Sequence, residues 1–239
     1  MEAYVASKRK QAQAQRAKSN RTFYTILAVV AVIGIGAIAY SMTRSAGMST
    51  APLDMSQISD AETLLAQAQG VSLGEENAPV QMIVFSDFQC PGCQAWSSRI
   101  EANLKRDFVD TGKLRYTYYD FPLTSIHPHA FLAARAARCA NDQGRFWDVH
   151  HRLFAAQGTW SFSGSAPVSE FTEYASMSGM NATTFTECLR SDRHADVVTA
   201  NLLLGEQLGV GGTPTVFVGQ RRLGDREWQD YSAVSAAIE

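Results

Sequence analysis

The chain has 239 residues, 46% of them hydrophobic and 18% charged, with a formal net charge of −2. This composition excludes a disordered or repeat polymer and suffices for one globular domain with its own core plus extra segments. The charge is uneven: residues 1–21 hold six Lys or Arg against one Glu, leaving 15 basic and 22 acidic residues elsewhere, a balance that argues against nucleic acid as a partner of the body.

The basic segment 1–21 leads into TFYTILAVVAVIGIGAIAYSM, a run of 21 residues from Thr22 to Met42 without a charge. As a helix rising about 1.5 Å per residue, it can cross a hydrocarbon core of about 30 Å. Positive flanks stay in the cytoplasm, so residues 1–21 are expected inside and everything after the run outside. That predicts a single-pass membrane protein whose folded part is periplasmic or extracellular. A cleaved signal peptide ending near Ala37-Ile38-Ala39 is the alternative, but the apolar core is longer than the usual stretch of about 7–15 residues, which favours an uncleaved signal-anchor.

Residues 43–74 read as a linker, with a short helix expected after Ser59 or Asp60 as its cap. The folded domain is expected over 75–239. Its first strand is VQMIVF, 80–85, a short apolar and β-branched run. Next comes FSDFQCPGCQAW, where Pro91 suits the first turn of a helix that should continue to about Phe108. KLRYTYYDF, 113–121, reads as a second strand. Helices are expected at 127–142, 145–157, 167–178, 181–190 and 192–208. The segment Gly209 to Pro214 breaks that pattern before a third strand, Thr215 to Val218. A possible fourth strand at 221–223 and a C-terminal helix from about Glu227 complete an α/β pattern, βαβ, helical insertion at about 127–208, then ββα.

The four cysteines decide the chemistry. A structural zinc site needs a second close pair of ligands, and His127, His129, His150, His151 and His194 supply no matching spacing, so no metal is expected at Cys90 and Cys93. Outside the cytoplasm, four cysteines are readily read as two pairs. Cys139 and Cys188 look like a structural disulfide, with two separate buried thiols as the alternative. The redox reading of Cys90-Pro91-Gly92-Cys93 has a reason for each position. Cys90 stands at a helix N-terminus, where unpaired N–H groups and the positive end of the dipole favour a thiolate. Cys93, one turn inside, is suited to resolve a mixed disulfide. Pro91 lacks an N–H and Gly92 lacks a side chain, which leaves the Cys90 sulfur open to a peptide. Such exchange requires no bound cofactor beyond the redox-active disulfide itself.

The blocks VQMIVFSDFQCPGCQAW, FPLTSIHPHAFLAARAARCANDQGRFWDVHHRLF and LGVGGTPTVFVG, in that order, resemble the exported DsbA-like thiol–disulfide oxidoreductases. The resemblance spans roughly residues 71–238. It implies a thioredoxin-like fold with an inserted helical subdomain, Cys90 as nucleophile, Cys93 as resolving thiol, and Pro214 as a cis-proline facing them. Independently, Gly211-Gly212-Thr213-Pro214 before a strand is a turn in which a cis X-Pro bond is inexpensive. There Thr213 can offer its backbone to an extended substrate peptide. An ordinary trans proline at a strand start is the alternative.

The function expected is disulfide introduction into exported proteins, with clients that carry cysteines and a quinone-linked membrane partner for reoxidation. A reductase or isomerase fed by an electron conduit is the alternative, and from another class a non-catalytic client-binding module. Pro91-Gly92 lacks the histidine of the family's strong oxidant, and Thr213 replaces its valine, a substitution closer to isomerases. The segment 43–74 is too short to build a dimerisation domain with its own core, so a monomer is expected. The histidines, Trp96 and Trp147 are read as surface or packing residues, and Phe88, Trp160 and Phe162 as an apolar rim for clients.

Overall fold

Among the described residues, five strands form the one sheet on which the cysteine turn is mounted. The computed structural model describes residues 31–32, 34–35, 48–55 and 60–239. The expected cytoplasmic tail and membrane anchor therefore lie outside the described residues, apart from four helical positions. Among the described residues no helix is long and apolar enough to cross a membrane. Met48–Glu239 forms one compact unit.

Helix α1 (Ala61–Gln67) starts at Asp60, whose side chain accepts the Thr63 N–H. Strand β1 (Val71–Leu73) runs antiparallel to β3 (Leu114–Asp120), which lies parallel to β2 (Val80–Ser86). On the other side of β2 is the antiparallel β4 (Thr215–Val218), followed by the short β5 (Arg221–Arg222). The short helix expected after Asp60 is present, and residues 71–73 add an edge strand within the stretch read as linker, because Val71 and Leu73 pack against the main core although their neighbours are polar. The earlier part of that stretch is also held down: Ser49 N–H donates to Asp192 and Leu53 N–H to Thr199.

Helix α2 follows β2 as one continuous rod of alternating α turns (Pro91–Trp96, Ala102–Leu104) and wider π turns (Ser97–Glu101, Lys105–Val109). Between β3 and β4 come α3 (Ala130–Asn141), α4 (Phe146–Ala155), α5 (Gln157–Trp160), α6 (Val168–Met177), α7 (Ala182–Arg190) and α8 (Ala195–Gln207). Helix α9 (Tyr231–Ile238) closes the domain. The thioredoxin-like α/β fold with a helical insertion is therefore present. Helix α3 begins three residues later than the sequence suggests, because His127 N–H first closes a turn onto the Leu123 carbonyl. Helix α9 likewise waits for Asp230, the residue whose side chain can cap it.

Alternation along β2 explains how the sheet separates two apolar clusters. Met82 and Val84 face the larger one, with Trp96, Leu104, Tyr116, Tyr118 and much of the insertion. Phe85 faces the smaller one, with Leu64, Phe121, Leu204 and Val210. The end of β3 is tied to the insertion by a buried pair, since Arg138 Nε donates to Asp120 Oδ2 at 2.8 Å and Asn201 adds a bond at 3.1 Å.

Gly205 on α8 is required by a close approach. A β-carbon there would meet Phe121 Cδ2 at 2.5 Å and Phe85 Cδ1 at 3.1 Å. Overpacking of a rigid aromatic contact costs about 1–3 kcal/mol, against about 1 kcal/mol gained in helix propensity. Gly205→Ala is therefore expected to destabilise by about 1 kcal/mol net, read as a lower urea midpoint. An unchanged or higher midpoint would contradict this packing.

Candidate active site

The sequence from Ser86 to Cys93 turns the chain from a central strand into a helix, and that turn places the two cysteines beyond the C-terminal end of β2. Cys90 is the residue before the first helical turn, with extended backbone, and Pro91 occupies the first helical position. The Cys90 N–H donates to the Asp87 carbonyl at 3.1 Å, and the Cys90 carbonyl accepts from the Gln94 N–H at 3.1 Å. Cys93, one turn on, is fully buried, whereas the Cys90 residue keeps 9% of its surface exposed.

Opposite the turn is the loop before β4. The Thr213–Pro214 peptide is cis, and the Cys90 thiol donates to the Thr213 carbonyl at 3.3 Å. Fold and loop thus bring Cys90, Cys93, Thr213 and Pro214 together, although they are separated by more than a hundred residues. Gly92 packs beneath this loop. A β-carbon there would lie 3.2 Å from Pro214 Cδ, 3.6 Å from Trp228 Cη2 and 3.7 Å from the Cys90 sulfur. Cys139 and Cys188 are elsewhere, joined in a disulfide with Cα atoms 5.8 Å apart.

The two thiols are electrostatically unlike. A hydrogen bond from the Cys93 thiol is the largest cause lowering the Cys90 pKa from 9.0 to about 6. Thr213 and the Cys93 and Gly92 N–H groups add to it, and partial burial opposes. Burial pushes the Cys93 thiol well above its ordinary value, and the Cys90 sulfur reinforces that, although the Asp87 N–H donates to Cys93 Sγ at 3.4 Å. One sulfur is a thiolate near neutral pH and accessible; the other is a protonated reserve.

Several supporting residues escaped sequence reasoning. Asp87 is buried and accepts three bonds, from the Gln89 N–H at 2.7 Å, the Leu123 N–H at 2.8 Å and His127 Nδ1 at 2.7 Å. That bond raises the His127 pKa, with the Asp87 and Cys90 charges acting in the same direction. His127 is therefore more than a packing residue. When protonated it places a positive charge within electrostatic reach of Cys90, of the kind the Pro-Gly dipeptide lacks, and this charge disappears as pH rises through its elevated pKa. Gln157 bridges the carbonyls of Phe88 and Cys90 at 2.8 and 3.0 Å, which bolts the cysteine turn to the insertion. The acid three residues before Cys90 was visible in the sequence; nothing local marked Gln157.

Beside Pro91 lies a cleft of about 400 Å3, lined among others by Ile126, His127, Gly158 and Phe162. Ile126 and Phe162 are 68% and 87% exposed, whereas Phe88 and Trp160 are buried core residues rather than the expected rim. Trp96 is likewise buried, and Trp147 packs against the core.

These shifts predict the pH profile of alkylation. In the reduced protein, the rate at Cys90 should rise through a midpoint near 6 and then level off, as the thiolate forms. His127→Gln should move the midpoint upward by removing the neighbouring cation. A midpoint near 9, or one unmoved by the substitution, would contradict the respective assignment.

A family model described as Thioredoxin matches residues 66–239. The chain is similar to the Na(+)/H(+) antiporter NhaA 1 of Salinispora arenicola, 36% identical over 166 residues that cover 69% of this chain and 24% of that protein. It spans about a quarter of the length of the antiporters it matches. It is also similar to disulfide bond formation protein D of Bacillus subtilis, 25% identical over 167 residues, 70% of this chain and 74% of that protein. Among solved structures, oxidised BdbD from Bacillus subtilis superposes with a TM-score of 0.63 at 25% identity, covering 70% of this chain and 89% of that one. DsbA from Chlamydia trachomatis shares the fold, with a TM-score of 0.62 at 22% identity over 70% of this chain and 88% of that chain.

Proposed function

Because the chain belongs to the thioredoxin family, with DsbA-like thiol–disulfide oxidoreductases among its homologues and structural neighbours, we propose that it exchanges disulfides with protein clients through Cys90 and Cys93. The observation that carries this reading is the asymmetry of the pair. A lowered pKa makes Cys90 the attacked and attacking sulfur, while burial keeps Cys93 in reserve beneath it.

The direction proposed is oxidation. A client thiolate attacks Sγ of Cys90 in the Cys90–Cys93 disulfide, and the electron pair of the broken S–S bond leaves on Cys93, which takes up a proton. A second client thiolate then attacks the mixed disulfide and releases Cys90 as a thiolate. Two client thiols become one disulfide, and the enzyme carries the two electrons to a membrane partner, proposed to be quinone-linked. Thiolate stabilisation favours the reduced enzyme and so makes its disulfide the stronger oxidant. At pH 7 a pKa of about 6 in place of 9.0 gives about a tenfold effect, or about 30 mV.

Location is part of the proposal. The uncharged run Thr22 to Met42 behind a basic segment supports a membrane anchor with the active domain outside the cytoplasm. The test of direction is the equilibrium of Cys90–Cys93 against a glutathione series. A potential close to the thioredoxin value of about −270 mV would rule out the oxidase and favour the reductase reading.

A further inference from the structure

A second cluster of ligating side chains lies inside the domain, apart from the cysteine turn. Glu101, at the end of the first π turn of α2, and the adjacent His150 and His151 on α4 bring one carboxylate oxygen and two ring nitrogens within 4.8 Å of one another. His150 Nδ1 is 3.6 Å from Glu101 Oε1, and His151 Nε2 is 3.2 Å from the same atom. The first separation is beyond hydrogen-bond reach, the second is not aligned for one, and Oε1 accepts none, whereas Oε2 accepts one from the Tyr116 hydroxyl at 3.1 Å.

His150 makes the cluster unusual. It is completely buried, and neither ring nitrogen has a hydrogen-bond partner. Its ring is enclosed by Phe88, Tyr118, Phe146, Trp147 and Phe154, with centroids 5.0–5.9 Å away. The neutral ring has two tautomers. A proton on Nδ1 leaves the Nε2 lone pair facing aromatic rings, which attract donors and not acceptors. A proton on Nε2 satisfies those rings but turns the Nδ1 lone pair toward the Glu101 carboxylate. A cation between them would relieve the second arrangement, because burying unpaired acceptors costs on the order of 1–3 kcal/mol each.

From this geometry we infer that Glu101, His150 and His151 form a binding site for a divalent first-row transition-metal ion, zinc above all. Two imidazoles and a carboxylate are a donor set that suits zinc, with a water as fourth ligand. With metal–ligand bonds of about 2.0–2.1 Å, a tetrahedral site has edges of about 3.3 Å, a value that lies between the 3.2 and 3.6 Å separations from Glu101, with the third edge within 4.8 Å. His151, whose side chain is 50% exposed, is the side from which the ion and its water enter. The expectation of no metal rested on ligand spacing along the sequence. Here 49 residues separate Glu101 from His150, and the fold alone joins them. Bound metal would pin the helix that starts at the cysteine turn to the helical insertion.

Cobalt(II) titrated into the full-length, untagged protein with the Cys90–Cys93 disulfide closed tests the site without competing thiolates. One equivalent should bind with the visible bands of four-coordinate nitrogen and oxygen ligation and no sulfur charge-transfer band. His151→Ala, at a half-exposed position where folding should be retained and can be checked by circular dichroism, should weaken binding at least about tenfold. Cys90→Ser/Cys93→Ser should leave it intact. Zinc at a hundred times its dissociation constant should lower the unfolding equilibrium constant about a hundredfold in the parent protein. The same effect should be absent in His151→Ala. No binding, binding insensitive to His151→Ala, or binding lost in the cysteine double variant would each overturn the site.

Discussion

Cys90→Ser is expected to abolish disulfide exchange, reducing both insulin reduction and peptide oxidation by at least about a thousandfold, because it removes the only accessible sulfur of the pair. The structure separates this variant from Cys93→Ser. Cys90 faces the Thr213 carbonyl and retains some exposure, whereas Cys93 is sealed in the core. Cys93→Ser should therefore still capture clients that already carry a disulfide, and hold them as mixed disulfides on non-reducing gels, because the resolving thiol is missing. Capture in Cys93→Ser with none in Cys90→Ser is the signature of the proposed division of labour. Exchange unchanged in Cys90→Ser would end the enzymatic reading and leave a client-binding module.

The second large effect concerns stability. Removing the Cys139–Cys188 bridge as a double alanine variant should cost about 4 kcal/mol, the chain entropy of a loop closed across 49 positions. For a protein of this size that corresponds to a melting temperature lower by about 8–16 °C. The bridge joins α3 to α7 and encloses α4, α5 and α6, the helices that supply His150, Gln157 and the floor of the cleft. Its loss should therefore loosen the insertion first, seen as faster amide exchange there than in the β2–β3 pair. A fall below about 1 kcal/mol would mean that packing of the insertion, and not the crosslink, holds those helices.

What the sequence disclosed and what it hid divide by distance along the chain. Strand β2, the start of α2 at Pro91 and the pairing of Cys90 with Cys93 are local features, encoded by β-branched runs, proline geometry and a spacing of one helical turn. They were legible for that reason. Strand β1 was not, since Val71 and Leu73 stand in a polar stretch and only β3 makes them a strand. The Asp87–His127 pair, the Gln157 bridge and the Glu101–His150–His151 cluster each join residues at least 40 positions apart. Each depends on where the insertion lands on the core, and no window of sequence records that. His127 shows the consequence. Read by its neighbours it is a residue before a helix, and read in space it is the Asp87-bound imidazole whose charge couples to Cys90.

The glycine between Pro91 and Cys93 has a consequence for how this site could change over time. Dipeptides between paired cysteines are often treated as a free dial for reactivity. Here any β-carbon at position 92 requires Pro214 to yield by a few tenths of an ångström, with Trp228 and the Cys90 sulfur close behind. The dial is geared to the opposite wall. A lineage or an engineer exchanging Gly92 for a larger residue must reshape the loop from Gly211 to Pro214 in the same step, or crowd the space beside the Cys90 sulfur. The residue at position 92 and the loop before β4 are in this protein a single inherited trait.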